Sequence, residues 1–547
     1  MATTTTSEAP AAVSESKPKL HGRAFYESIG SPKYILAPMV DQSEFAWRML
    51  SRSFIPASEQ HNLLAYTPML HARLYNETDG YRKGHFQATR ASPTEPSKST
   101  PWLDGNPAID RPLFVQFCAN DPDALLGAAL KVAPYCDAVD LNLGCPQGIA
   151  KKGKYGAFLQ EDQELIFKLI NILHKNLPIP VTAKIRILDT REATLAYAKN
   201  VLAAGASILT VHGRRREQKG HLTGLADWDV IKWLREQLPP DTVMFANGNV
   251  LQHADLQRVL DATGVDGVMS AEGNLSDPAI FGREPEPGSE AEKREYWRGK
   301  DGKGGWRVDA VMRRYMDILH KYAAGVDPPA RRPLFIPGDD ETWIEEMDRA
   351  AAEEDEPARK KRKKDTPKGK RTNNPNYSAM QPHMFHMLRH FVSKHTDVRN
   401  RLGRSLAGDL DEYESILSLV ERKVADGLKE YEKSGGKMFD EEAAAGEGEG
   451  EEEELVEDGE SSRAAIKRCK RPWWVVQPII RPLPKEALAK GAVSLSKKDK
   501  AKMGTNGVTN GVTNGVTNGV TNGASNGAKG KSVQEEVLEK DDQLLAG

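Results

Sequence analysis

The chain has 547 residues but only four cysteines, and it contains no long apolar run. The cysteines, Cys118, Cys136, Cys145 and Cys469, are not spaced in pairs, which argues against a disulfide framework and favours a reducing compartment. Neither a CxxC nor an HExxH motif occurs, so the sequence predicts no zinc site. No stretch reaches the roughly 18 apolar residues that a membrane-spanning helix needs, and the N-terminus lacks the apolar core of a secretory signal. We therefore expect a protein without a metal or a membrane span.

Apolar residues make up only 39% of the chain, and its charges, which sum to −2, are segregated along it. The length suggests two or three folded units, and the low apolar content indicates disorder elsewhere. Three disordered stretches are predicted: a leader at 1–20, an acidic linker at 436–466, and a low-complexity tail at 486–547 that repeats TNGV.

Eight short β-type runs alternate with helical stretches in the first half of the chain. The runs are KYILAPMV (33–40), LLAYTPML (63–70), PLFVQFCA (112–119), AVDLNLGC (138–145), VTAKIRI (181–187), ILTVHG (208–213), VMFANGNV (243–250) and DGVMSAEG (266–273). This number and rhythm predict an α/β fold with a (β/α)8 TIM barrel at 30–285. A doubly wound sheet alternates in the same way, but it usually opens with a glycine-rich loop, which APMVDQ is not.

Three further segments follow the predicted barrel. Residues 286–375 are predicted to form a polar linker with one helix and a basic run at 359–371. Residues 376–435 place apolar positions three and four apart with basic residues between them, which predicts a helical domain. Residues 467–485 are basic, aromatic and proline-rich, and the tryptophan pair predicts a segment that docks on the folded body.

Six successive runs end in polar or reactive side chains at the same end. These residues are Gln116, Cys145, Lys184 with Arg186, His212, Asn247 with Asn249, and Glu272. A single polar residue at a strand end is usually part of a turn. Six at one end predict a shared site, because the carboxyl ends of barrel strands build the active-site face.

Several chemistries fit these residues. A lone cysteine such as Cys145 is a buried core residue, a nucleophile, a metal ligand, a redox thiol or a proton donor. Lys184 and Arg186 lie on the same side of one strand and need a partner if buried, which indicates an anion, a polarised carbonyl or a flavin ring. The loop Asn247–Asn249 follows the seventh run, where barrels usually bind phosphate, so it suggests a phosphate-containing cofactor.

Seven motifs, in their order and spacing, resemble the tRNA-dihydrouridine synthases, a family of FMN enzymes with a barrel and a C-terminal helical domain. They are APMVDQSE (37–44), FVQFCAND (114–121), DLNLGCPQ (140–147), AKIRI (183–187), TVHGR (210–214), ANGNV (246–250) and SAEGNL (270–275). In detail, LNLGCPQGIAKKGKYGAFL and PWWVVQP are most similar to the eukaryotic branch that acts on positions 16 and 17 of the tRNA D-loop.

The resemblance implies a role for each matching residue. The residues implied to bind FMN are Met39, Val40, Asp41, Gln116, Lys184, His212, Asn247, Gly248, Asn249, Ala271 and Glu272. Cys145 is implied as the general acid, and Asn142 and Arg186 as contacts of the uracil. Many bacterial members have arginine where this chain has Glu272, and a carboxylate does not attract phosphate. The ligands of the FMN phosphate therefore stay open.

The implied activity is reduction of uridine to 5,6-dihydrouridine in tRNA, with hydride from reduced FMN to C6 and a proton from Cys145 to C5. NADPH or NADH would re-reduce the flavin, and a monomer is expected. Lysines at 151–154, arginines at 214–216 and the basic face of 383–428 are candidate tRNA contacts. The basic run at 359–371 resembles a nuclear localisation signal or an RNA-gripping arm, so the expected location is the cytoplasm, the nucleus or both.

Two other functions are compatible with parts of the pattern. A barrel flavoenzyme acting on a free pyrimidine, similar to dihydroorotate dehydrogenases, would need the same strand-end residues, but it would not need the basic loops and the helical unit. A tRNA-binding protein without chemistry would keep the basic surfaces but not require Cys145, Lys184 and His212 together. A yellow colour on purification separates this last function from the two enzymes.

Overall fold

The computed structural model describes residues 19–92, 94–95, 97–299, 302, 304–354, 372–438, 465 and 469–481. Eight parallel strands form a closed barrel in which each strand pairs with its neighbours and β2 pairs with β3. The strands are β1 Tyr34–Leu36, β2 Leu63–Tyr66, β3 Leu113–Cys118, β4 Ala138–Leu143, β5 Val181–Arg186, β6 Ala206–His212, β7 Val243–Asn247 and β8 Gly267–Ser270. Seven of the predicted runs contain a whole strand, and the run 208–213 covers β6 except for its first two residues, so the predicted TIM barrel is confirmed.

The strands are short and almost entirely buried, as expected for a parallel sheet covered by helices. Several covering helices begin where a side chain accepts a hydrogen bond from the first turn, as Asp121, Asp162, Thr190 and Asp227 do. The helices up to the end of the barrel are Gly22–Ser28, Phe45–Ser53, Ala72–Glu77, Asp79–His85, Pro122–Val132, Gly148–Gly153, Gln163–Asn176, Arg191–Ala203, Trp228–Gln237, His253–Thr263 and Glu272–Ser276.

The chain beyond the barrel is helical, in agreement with the predicted C-terminal helical region. Its helices are Glu290–Arg294, Val308–Ile318, Thr342–Glu354, Pro375–Ser378, Met380–Met387, Arg389–Lys394, Thr396–Leu402 and Leu410–Ser434. A π-helical turn, Leu319–Ala324, extends the second of these. The remaining short strands pair as two hairpins, Thr89–Ala91 with Ser99–Pro101 and Tyr296–Arg298 with Gly304–Trp306, and Leu70–His71 adds to β3.

The helical region and the barrel share one apolar core. Helix Val308–Ile318, inside the predicted linker 286–375, is mostly buried and packs between the barrel helix Phe45–Ser53 and the long helix Leu410–Ser434. Two buried histidines of helix Met380–Met387 reach the loop after β1. The helical region is therefore joined to the barrel at its active-site end.

The terminal segment 469–481 docks on the same body. Its backbone bonds to the region before helix Val308–Ile318, because Val308 N–H donates to the Trp474 carbonyl and Val476 N–H donates to the Trp306 carbonyl, both at 2.9 Å. The Trp474 side chain lies against the long helix at Gly427, where an added Cβ would come within 2.7 Å of the indole. Both tryptophans are buried, as the docking interpretation of this segment requires.

Four predictions fall wholly or largely outside the described residues: the leader at 1–20, the basic run at 359–371, the acidic linker at 436–466 and the tail at 486–547. Within the parts that are described, no helix combines the length and apolar character needed to cross a membrane.

Replacing Trp474 with alanine should lower the free energy of unfolding by about 3–5 kcal/mol, because the indole is 1% exposed and its loss leaves a cavity on the long helix. Denaturant titration followed by fluorescence and circular dichroism measures the change. Leu130→Ala is the control, since Leu130 is 47% exposed and its truncation should change stability by less than about 0.5 kcal/mol. Equal effects of the two substitutions would contradict the docking of the segment.

Candidate active site

Five strands each bring a polar side chain to the carboxyl-terminal mouth of the barrel. The residues are Gln116 on β3, Asn142 on β4, Lys184 on β5, His212 on β6 and Asn247 on β7. All are at most 5% exposed, although polar groups are costly to bury without partners. Strand register sets Asn142 beside Lys184, and His212 beside Asn247. The structure thus brings these sequence-predicted residues together.

A chain of hydrogen bonds fixes the side chains of β3 and β4. The Gln116 amide donates to Asp140 at 2.8 Å and accepts from the Asn142 amide at 2.8 Å. The Asn142 oxygen accepts the backbone N–H groups of Gly144 and Cys145 at 3.1 and 2.9 Å. Asn142 therefore holds the cysteine loop in place and keeps only one amide N–H for a ligand.

Lys184 lies at the centre of the site with its charge uncompensated. It is 1% exposed, and its ammonium makes no hydrogen bond or ion pair within the described part of the chain. Burial, with the nearby Arg186, lowers the pKa of Lys184 from 10.5 to about 7. Asp140 is the nearby carboxyl group, and burial raises its pKa to about 6 against the hydrogen bonds from Thr182 and Gln116. The site therefore favours an anionic or hydrogen-bond-accepting ligand at Lys184.

Two buried arginines add to this positive charge. Arg186 donates to the Gly144 carbonyl at 2.6 Å, and burial together with Arg214 lowers its pKa to about 10. Arg214, which the sequence grouped with surface contacts for tRNA, is only 4% exposed and contacts His212 at 3.2 Å. Burial and the cations around His212 hold its pKa well below the usual range. The His212 imidazole is therefore neutral, and its Nδ1 has no hydrogen-bond partner among the described residues.

Cys145 begins the loop after β4 and is 2% exposed. Gly156 allows the chain to pass close to Cys145. It has φ +65°, and a Cβ there would come within 2.9 Å of the Cys145 Cβ and 2.8 Å of the Cys145 carbonyl oxygen. Burial raises the pKa of the Cys145 thiol, so it stays protonated at neutral pH. A protonated thiol is a proton donor rather than a nucleophile or a redox thiolate. The described residues contain no cluster of His, Cys, Asp and Glu able to hold a metal ion.

The loops after β7 and β8 line a small cleft beyond His212. Asn249 has φ +59° and accepts a hydrogen bond from Arg214. Gly248 has φ +111°, and a Cβ there would come within 2.6 Å of the Ala226 Cβ. The Asn247 oxygen has no partner among the described residues. Ala271 and Glu272 complete the cleft wall.

The loop after β1 lies next to the end of β8, with which β1 pairs, and contains a buried Met39, a half-buried Val40 and Asp41 at φ +54°. The loop is held from the helical region, since His383 Nε2–H donates to the Gln42 carbonyl at 3.0 Å and its Nδ1 accepts from the Tyr315 hydroxyl at 2.7 Å. Burial lowers the pKa of His383 to about 3, so this histidine is neutral.

Sequence reasoning did not find these contacts of His383. It also did not find the partner of Glu272, which is Arg481 of the terminal segment, at 2.6 Å between Nε and Oε2. Neither pair has a signal in the sequence, since 341 and 209 residues separate the partners. The basic character of 467–485 was visible, but its target was not.

Comparison with known proteins agrees with this geometry. A family model described as "Dihydrouridine synthase (Dus)" matches residues 35–326. A Schizosaccharomyces pombe protein named tRNA-dihydrouridine(16/17) synthase, with NAD(P)(+) in its name, is 40% identical over 85% of this chain and 92% of its own length. The protein of the same name from Saccharomyces cerevisiae is 45% identical over 70% of this chain and 72% of its own length. A protein from Rattus norvegicus, named as similar to that enzyme, is 47% identical over 49% of this chain and 56% of its own length.

Lys184→Met should raise the free energy of unfolding of the ligand-free protein by about 1–4 kcal/mol at pH 7, because it removes an unpaired buried cation. The effect depends on pH. Between pH 10.5 and about 7 the unfolded chain protonates Lys184 while the folded chain does not, so wild-type stability falls as pH falls through this window. The Lys184→Met variant should lack this contribution to the pH dependence of stability, because methionine does not titrate.

Urea titrations at several pH values measure both effects. Lys175→Met is the matched control, because Lys175 is exposed at the far end of the barrel. Its loss should change the free energy of unfolding by less than about 0.5 kcal/mol at every pH. A lower stability of Lys184→Met than of wild type would mean that Lys184 is compensated in the ligand-free protein.

Proposed function

The chain belongs to the dihydrouridine synthase family, and from this premise we propose that it reduces uridine to 5,6-dihydrouridine in the D-loop of tRNA. We propose positions 16 and 17, which the names of two relatives state for those proteins. The proposed cofactor is FMN and the electron donor is NADPH or NADH. The observation that carries the proposal is the Lys184 side chain, buried at the barrel mouth without a hydrogen bond or ion pair among the described residues, together with a protonated Cys145 thiol.

The residues present fit FMN. Lys184, the free Nδ1 of His212 and the free oxygen of Asn247 line one continuous side of the mouth, and they match hydrogen-bonding edges of a flavin ring and its side chain. A Cβ at Gly248 would come within 2.6 Å of the Ala226 Cβ and 3.1 Å of the His212 ring, so this loop keeps a backbone without a side chain beside the cleft where a phosphate-bearing chain would lie. Gln116 and the loop Met39–Asp41 would complete the binding of the ring. When bound, FMN supplies the hydride that C6 of the uracil receives.

Cys145 supplies the proton for C5 of the uracil. Because its pKa is raised, the thiol is protonated before the reaction. After transfer, the thiolate is stabilised by the positive charges of Arg186, Lys184 and Lys219, each of which lowers the pKa against the larger effect of burial. Lys219 also donates to the Pro146 carbonyl at 2.9 Å, so it holds the loop that carries the cysteine.

The uracil must leave the tRNA stack to reach this buried site, at a cost of a few kcal/mol. The remaining amide N–H of Asn142 and the guanidinium of Arg186 are the groups that we propose for binding the uracil. Helix Gly148–Gly153 begins three residues beyond Cys145 and carries the exposed Lys151 and Lys152, which suits these lysines for contacts with phosphates next to the flipped base.

The first experiment is an absorption spectrum of the purified protein before and after NADPH, followed by mass analysis of tRNA incubated with both. The proposal predicts flavin bands that bleach and a gain of two hydrogens in D-loop uridines. Bleaching without any change in tRNA would favour a free pyrimidine as the substrate. A protein that remains colourless after FMN is supplied would overturn the flavoenzyme proposal and leave a tRNA-binding barrel.

Cys145→Ala should retain bound flavin while dihydrouridine formation falls by about 10²–10⁴-fold, because the general acid is lost. Mass analysis of tRNA under single-turnover conditions measures the rate, and the flavin absorbance reports cofactor content. Cys118→Ala is the matched control. Cys118 is buried in the same small apolar cluster, and its loss should leave the rate within about threefold of wild type. Equal rates in the two variants would remove Cys145 from the mechanism.

Replacing Lys151 and Lys152 together with alanine should weaken tRNA binding and lower the slope of log affinity against log salt by about 1–2 units. Binding assays over a salt series measure this slope. The matched pair Lys175→Ala and Lys199→Ala lies at the opposite end of the barrel and should leave the slope unchanged. An unchanged slope in the first pair would exclude these lysines from the tRNA surface.

A further inference from the structure

Glu272 stands where the proposed function places the phosphate of FMN, yet it carries a negative charge. Its side chain is 13% exposed and forms part of the wall of the cleft that includes Asn247 and Asn249. A carboxylate in that wall would repel a phosphate dianion at close range, since charge interactions are strong where water is excluded.

Three arginines from separate parts of the chain surround this carboxylate. Arg214 comes from the loop after β6, Arg389 from helix Arg389–Lys394, and Arg481 from the terminal segment. Burial alone would raise the pKa of Glu272, but Arg481, Arg214 and Arg389 together hold it below the usual range. Three positive charges around one negative charge leave a net positive field at the cleft. Such an excess is suited to an anion.

Arg481 makes the direct contact with Glu272, at 2.6 Å between Nε and Oε2. Its side chain is 19% exposed, so the pair is largely shielded from water. The segment that carries it is held to the body in several places: Arg471 donates to the Gly304 carbonyl at 3.2 Å, and the Val476 N–H donates to the Trp306 carbonyl at 2.9 Å. The position of Arg481 is thus set by the docking of the whole segment.

We propose that Arg481 is a positioning residue that neutralises Glu272 and thereby allows the cleft at Asn247–Asn249 to accept the phosphate group of the cofactor. The inference rests on the proposed use of FMN and adds the device by which this chain binds the phosphate despite a glutamate. The terminal segment is then part of cofactor binding, although it lies beyond both the barrel and the helical region in the chain.

The test compares FMN with riboflavin, which has the same ring but no phosphate. Dissociation constants for both are measured by flavin fluorescence with full-length flavin-free protein. Arg481→Ala should weaken FMN binding by about tenfold or more, because a largely buried charge pair becomes a lone carboxylate facing the phosphate, and it should leave riboflavin binding within about twofold. Arg481→Lys should recover most of the FMN affinity because it restores the positive charge.

Two further variants distinguish the neutralisation of Glu272 by Arg481 from a general disruption of the cofactor site. In the double variant Glu272→Gln with Arg481→Ala, the carboxylate and its counter-ion are both gone, so FMN affinity should return to within about threefold of wild type. Arg404→Ala is the control, because it removes an exposed arginine of the helical region that is not among the charges acting on Glu272, and it should not change the ratio of FMN to riboflavin affinity.

Each outcome decides a different question. Wild-type protein that binds neither flavin would overturn the proposed function itself. Tight FMN binding that Arg481→Ala leaves unchanged would overturn this inference alone. Parallel loss of FMN and riboflavin in Arg481→Ala, or a double variant as weak as the single one, would show that Arg481 does not act by neutralising Glu272.

Discussion

Positive charge buried without an equal amount of negative charge is the constraint on which the rest of the site depends. Lys184, Arg186 and Arg214 are all at most 4% exposed, and the pKa of each is lowered, in every case chiefly by burial. Burial of unpaired charge costs free energy, and this cost is offset where a ligand of opposite charge binds. The same charges keep His212 neutral, so the histidine offers a hydrogen bond rather than a further cation. Lys184 and Arg186 also stabilise the thiolate that forms when Cys145 loses its proton.

The helical region is part of this site. His383 holds the loop after β1, and Arg389 contributes to the field around Glu272. A shared apolar core fixes the two regions to each other. The mouth of the barrel is therefore shaped by both regions, through buried contacts between residues that lie far apart in the chain.

Local patterns and family motifs were sufficient for the barrel and most of its site. Seven of the eight strands fall within runs that are visible as short apolar segments, and β6 begins two residues before its run. Gln116, Lys184, His212 and Asn247 were visible as polar strand ends. What could not be predicted depends on contacts between distant segments. The burial of Arg214 was missed because RRR after a strand looks like a solvated loop, and only the fold turns its first member inward. Arg481 was missed because nothing in a proline-rich terminal segment specifies the carboxylate that it meets.

The docking of Trp474 on Gly427 has a consequence for how this protein varies between species. An added Cβ at position 427 would come within 2.7 Å of both Trp473 and Trp474. The glycine and the two indoles are therefore tied to each other's size, although they lie in different segments of the chain. A larger residue at 427 would require a smaller one at 473 or 474, so these positions are expected to evolve together.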